Sequence, residues 1–135
     1  MATYTADAVS LLVYLVDALP QEADQVFAEA EAGETVIQAP STALAEVMYS
    51  VSHDKDVRGT SLTGTAEDAR QALVGNGPVS VAAVEDAVLA EYAQVVDEFS
   101  SHDALIVASH RAQDTAAIIT TDGLIDEAGY TTLWE

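Results

Sequence analysis

The sequence predicts a layered α/β domain, with a central parallel sheet of four or five strands and helices on both faces. Short β-rich runs alternate with helical periods along the chain, the pattern of parallel strands joined by helical crossovers. Half of the 135 residues are apolar, enough for a single core, so residues 1–135 read as one domain. No repeat or linker interrupts the alternation, and the chain lacks cysteine. Disulfides, cysteine-ligated zinc and thiol catalysis are thereby excluded.

Ala2 to Ala6 reads as the first strand, followed by a largely apolar helix from Val9 to about Leu19. Pro20 opens an acidic helix that runs to about Ala32, where Gly33 supplies the C′ glycine. Thr35 to Gln38 is the next strand. Pro40, Ser41 and Thr42 start a helix whose Leu44, Val47, Met48 and Val51 fall at i, i+3, i+4 and i+7 and face the core. His53 to Gly64 reads as a polar loop, Thr65 to about Val74 as a short helix, and Gly75, Asn76, Gly77 and Pro78 as a turn. Val79 to Ala82 is a short strand, and Val84, Val88, Tyr92, Val95 and Phe99 mark a helix from about Val84 to Phe99. Ser100 and Ser101 break that helix and cap another, from about His102 to Gln113, whose Ala104 to Ala108 is apolar on most sides and belongs against the sheet. Ala116 to Thr120 reads as a core strand and Tyr130 to Leu133 as the last one.

The charge is lopsided. Asp and Glu number 23 against 4 Lys and Arg, for a net charge of −19. With so much apolar content the excess acid coats a folded surface. Such self-repulsion is tolerable where salt shortens the Debye length to about 3 Å at 1 M, so the composition reads as adaptation to a salt-rich cytoplasm, as in halophilic archaea. A strongly basic partner is the alternative. The longest apolar run, Val9 to Val16, falls short of a membrane span of about 20 residues, which points to a soluble, cytoplasmic protein.

Four acids stand where a parallel α/β fold puts its chemistry, at the carboxyl ends of strands and the starts of helices. Asp7 closes the first strand, Asp122 closes a late one, and Glu46 and Asp103 lie near helix starts. Carboxylates gathered in one crevice repel unless a cation neutralises them. With no Cys and no paired His near them, that ion is a hard one such as Mg²⁺ or Mn²⁺. Glu46 is the weakest member by pattern: on a helical wheel it points largely away from the apolar stripe, either into solvent or sideways into the crevice. Of His53, His102 and His110, none repeats at i, i+4 spacing, and His102 beside Asp103 is the best placed. Lys55, Arg58 and Arg70 cluster around the loop, as a phosphate contact or as part of a solvated surface. Asp126 and Glu127 read as an exposed acidic turn, and Tyr14, Tyr49, Tyr92 and Trp134 as core or interface residues.

Four segments together resemble the PIN-domain nucleases, especially the small VapC-like toxin ribonucleases, over nearly the whole chain. They are Thr5-Ala6-Asp7-Ala8-Val9-Ser10-Leu11-Leu12, Pro40-Ser41-Thr42-Ala43-Leu44-Ala45-Glu46-Val47, Ser101-His102-Asp103-Ala104-Leu105-Ile106-Val107-Ala108 and Ile118-Ile119-Thr120-Thr121-Asp122. The resemblance implies a PIN-like three-layer fold with an acidic pocket of Asp7, Glu46, Asp103 and Asp122, holding one or two Mg²⁺ or Mn²⁺ ions. It also implies hydrolysis of RNA phosphodiester bonds, an antitoxin as protein partner, and a homodimer. One departure is local: the family usually has Thr or Ser directly after the first Asp and a small polar residue next, where this chain has Ala8 and Val9. Ser10 or Thr120 would have to supply the hydroxyl. Two other classes compete. A phosphoacceptor receiver domain needs a Lys at the end of its last strand, and Thr131 to Glu135 has none. A non-catalytic interaction or RNA-processing scaffold on the same fold is the alternative, which the Ala8-Val9 departure favours and the four retained acids oppose.

Overall fold

In the computed structural model, which describes residues 1–135, strand β1 (Thr3–Ala6) runs through the middle of a five-stranded sheet. Its neighbours are β2 (Val36–Pro40) and β6 (Ala117–Ile119), both parallel to it. β5 (Val79–Ala82) extends the sheet beyond β2, and β7 (Thr132–Leu133) extends it beyond β6, again in parallel, giving the order β5-β2-β1-β6-β7. The chain leaves β1 toward one edge and later returns to its other side, so a switch in strand order falls between β1 and β6. Such a switch opens a crevice beyond the carboxyl ends of the strands.

Helices α1 (Ala8–Leu15), α2 (Gln21–Glu31) and α3 (Ser41–Ser52) carry the chain toward the β5 edge. A short α4 (Ala66–Arg70), opened by a reciprocal Thr65–Asp68 capping box, runs into a π turn over Gln71–Gly75. Helices α5 (Asp86–Val95) and α6 (Ser101–Gln113) pack on each other and bring the chain back to β6, and α7 (Gly123–Glu127) leads to β7. Helix α3 packs on α1 and α4, and α5 packs on α6, while the strand order reverses between the two groups; right-handed crossovers would set those groups on opposite faces. The main core lies between, built from Phe27, Leu11, Ile37, Val47, Leu73, Val107, Ile118 and Ile119, all essentially inaccessible. No helix is long and apolar enough to cross a membrane.

Several element boundaries differ from the sequence reading. Helix α1 stops at Leu15 because Asp17 takes a left-handed φ of +55°. The α5 pattern overshoots at both ends: Glu85 is extended, and the chain turns after Val95, although Val84 and Phe99 still pack on the core. The supposed loop from His53 to Gly64 contains a hairpin, β3 (Asp56–Val57) and β4 (Thr60–Ser61), turned by Arg58 and Gly59 and pinned by buried Leu62 against Val51 and Ala69. Helix α7 lies where an acidic turn is expected. The stop of α2 is as expected: Gly33 has φ +78°, and the Glu34 N–H reaches back to the Glu29 carbonyl. In the turn before β5, a Cβ on Gly77 would collide with the Ala72 carbonyl oxygen, so only glycine fits there.

Candidate active site

Asp7 is the single residue between β1 and α1, at the switch point, and it caps α1. One carboxylate oxygen accepts the Ser10 N–H at 2.8 Å. The other accepts the Thr120 hydroxyl at 2.6 Å, from just past the end of β6. Thr120 Oγ1 in turn accepts the Asp122 N–H at 3.0 Å, so one hydroxyl ties both acids across the crevice. Ser10 turns its own hydroxyl back to the Asp7 carbonyl, 2.8 Å away. Of the two candidates for the missing hydroxyl, Thr120 makes the short hydroxyl bond to the Asp7 carboxylate, while the Ser10 hydroxyl bonds the Asp7 carbonyl.

Asp103 enters from the first turn of α6, which Ser100 caps by accepting the Asp103 N–H at 3.3 Å. Glu46 enters from α3. Its helix presents Thr42, Ala43 and Glu46 on one side, facing a cavity of about 280 Å³ that Asp7, Val9, Ser100, His102 and Asp103 also line. Glu46 thus projects sideways into the crevice, and His102 Nδ1 stands 3.5 Å from its carboxylate. Asp122 caps α7, accepting the Leu124 N–H at 2.8 Å, and lines the adjoining cavity with Thr120 and Arg58. The four acids do not share one pocket: three line the first cavity, and Asp122 reaches it through Asp103 and Thr120. No three of their side chains already stand close enough to hold an ion.

Electrostatics couple them nonetheless. Burial raises the Asp7 carboxyl above the ordinary carboxylate range, against the pull of the Thr120 and Ser10 hydrogen bonds, and the Asp122 charge adds to the rise. Asp103 is pushed up to about 6, first by burial, then by its hydrogen bond with Asp122 and by the charges of Asp122 and Asp7. Asp122 shifts the other way, held down by the hydrogen bond from Asp103 and by the Leu124 N–H. The two carboxyls titrate as a pair, with Asp103 the member that keeps its proton to higher pH. No Lys or Arg lines the first cavity. An oxygen-rich donor set with no Lys or Arg beside it suits a hard divalent ion.

The remaining candidates lie elsewhere. His53 stacks on Tyr49 with ring centres 4.0 Å apart, and its Nδ1 contacts the Tyr49 carbonyl. His110 is half-buried beside Thr115. Arg70 is clamped by Glu67 at 2.7 Å, and Lys55 lies over the Tyr49 ring. Only Arg58, of the three basic residues around the loop, lines a cavity with one of the four acids.

A five-stranded parallel sheet between helical layers, with acids at its switch point, defines a PIN-like three-layer α/β domain. No family model matches the sequence, and no curated protein matches it. Solved structures do share its fold. A chain of VapBC2 from Rickettsia felis, bound to a DNA fragment from their promoter, superposes with a TM-score of 0.70 at 17% identity, covering 98% of this chain and 99% of that one. VapC20 of Mycobacterium tuberculosis, a toxin that cleaves the sarcin-ricin loop, gives 0.67 at 17% identity, covering 95% and 96%.

Proposed function

We propose that the protein is a metal-dependent endoribonuclease of the PIN type, the toxin of a toxin–antitoxin pair. The observation that carries this reading is the convergence of Asp7, Glu46 and Asp103, from three separate elements, on one cavity without Lys or Arg, with Asp122 linked to Asp7 through Thr120. The similarity in fold to a toxin that cleaves RNA and to a toxin–antitoxin complex supports it. Asp7, Glu46, Asp103 and Asp122 would hold Mg²⁺ or Mn²⁺. When bound, the ion supplies a lowered pKa for water and a positive charge for the phosphate and the leaving oxygen. The protein's own residues do the positioning. Thr120 fixes one Asp7 oxygen and the Asp122 backbone, Ser100 fixes the first turn of α6, and His102 stands beside Glu46 in the same cavity. The partners of this reading are an RNA substrate and an antitoxin. A dimer of this chain and a cytoplasmic site of action go with it.

The test is cleavage of single-stranded RNA with and without divalent ions, in wild type and Asp103→Asn. Asn keeps the size and the helix start but not the charge. Cleavage should require Mg²⁺ or Mn²⁺ and should fall at least about 100-fold in the variant, with folding retained. Asp103→Asn cutting as fast as wild type, or no divalent-dependent cleavage of any RNA, would replace the nuclease reading with that of a non-catalytic scaffold.

A further inference from the structure

Arg58 differs from the other two arginines of this acidic chain; Lys55 is likewise free of an ion pair but lies over the Tyr49 ring, away from the four acids. Arg70 is paired with Glu67, and Arg111 with Glu91, whereas Arg58 has no carboxylate within ion-pair range. It nevertheless shares an open cavity of about 460 Å³ with Asp122, Asp126 and Glu135. Its guanidinium lies 5.8 Å from the centre of the Trp134 ring. The backbone fixes it there: Arg58 and Gly59 have φ of +53° and +79° in the two-residue turn between β3 and β4. An Asn or Gly would adopt the first of those angles with less steric cost than Arg, so the turn itself does not call for an arginine. Trp134 is the one apolar wall of the cavity. Thr120 and Asp122 join this cavity to the acid pocket through the hydrogen bond to Asp7.

We propose that this cavity is a nucleotide subsite for single-stranded RNA, in which the Trp134 indole stacks a base and the Arg58 guanidinium holds a phosphate beside the bond presented to Asp7 and Asp103. The proposal rests on the ribonuclease reading. A polar bowl with one flat aromatic wall and one unpaired planar cation suits a base and its phosphate better than an apolar protein side chain. It also puts the one cation near the acids where a polyanion passes, a contact short enough to act despite the net charge of −19.

Trp134 is the only tryptophan of the chain, so its fluorescence reports this cavity alone. The experiment titrates the full chain with a short single-stranded oligoribonucleotide in EDTA, so that binding is read without turnover, and measures divalent-dependent cleavage in parallel. RNA should quench Trp134 saturably. Arg58→Gln should weaken that binding by about tenfold and raise the KM for cleavage more than it lowers kcat, with melting unchanged. Polyglutamate, an anion without bases, should not quench. Cleavage without quenching, equal quenching in Arg58→Gln, or quenching by polyglutamate overturns the subsite and leaves the nuclease reading standing. Arg58-dependent quenching with no cleavage under any divalent ion does the reverse.

Discussion

At the two ends of the seam between β1 and β6 the chain buries polar side chains in opposite ways. At one end the Thr5 hydroxyl meets the Thr115 hydroxyl at 2.9 Å, and Thr115 meets His110 Nδ1 at 2.6 Å. All three can be neutral, and burial lowers the His110 pKa, which keeps it so. At the other end Thr120 meets Asp7 at 2.6 Å, and burial raises the Asp7 pKa instead of being offset by a cation. The first link closes on itself and fastens β1 to the end of α6. The second leaves a negative charge in want of a positive one, a cost with no structural return unless something binds there.

The largest break in this comparison should come from Asp7→Asn. Calorimetry should show Mn²⁺ binding to wild type and an affinity at least about 100-fold lower in the variant. Equal affinity would remove Asp7 from the site. Thr120→Val should cost about tenfold in Mn²⁺ affinity and in cleavage, because it frees the carboxylate it now orients.

Salt should separate the surface acids from the buried one. The melting temperature should be higher in about 2 M than in about 0.1 M KCl, because a screening length of a few ångströms relieves the repulsion of the coat. A midpoint that is unchanged or lower at high salt rules out the halophilic reading.

The effect of pH follows from Asp103. Its carboxyl is raised from 3.8 to about 6 on folding, so between these values the folded chain binds more protons than the unfolded one. Stability therefore falls as pH rises through that window. The depressed Asp122 acts in the opposite sense, its contribution being lost only as pH drops below the ordinary carboxylate range. Asp103→Asn cannot ionise and should melt like wild type near pH 4 but above it at pH 7, as urea titrations at both pH values would show. The smallest effect belongs to the neutral link: Thr5→Val should cost about 1 kcal/mol and leave cleavage unchanged.

Asp7 and Asp122 were legible because the β1 and β6 runs lead into an acid that begins a helix, as in Ala6-Asp7-Ala8. The side of α3 that faces the site was less so. The stripe of Leu44, Val47 and Val51 dominates its pattern, and the clue to Glu46 is the weaker run of small residues at Thr42, Ala43 and Ser50, three or four positions away. The hairpin at Arg58-Gly59 escaped the reading because strands of two residues carry no period, and an arginine in a left-handed turn position is a poor turn signal. Trp134 read as a core or interface residue by type, and it does pack partly on the main core. Its place beside Arg58 depends on a hairpin and a strand far apart in sequence, which no local pattern records. The link between Asp7 and Thr120 spans 113 residues, and the sequence offered Thr120 only as one of two candidate hydroxyls.

That span has a consequence for the protein during its synthesis. Strand β1 and Asp7 leave the ribosome early, but the central strand lacks one neighbour, and its acid lacks the threonine that orients it, until β6 and Thr120 have followed. Helix α6, which carries Asp103, emerges shortly before. A nascent chain can shape the β5-β2-β1 half of the sheet while its pocket has neither the Asp103 nor the Thr120 wall. The pocket therefore closes only once β6 and Thr120 have joined the sheet.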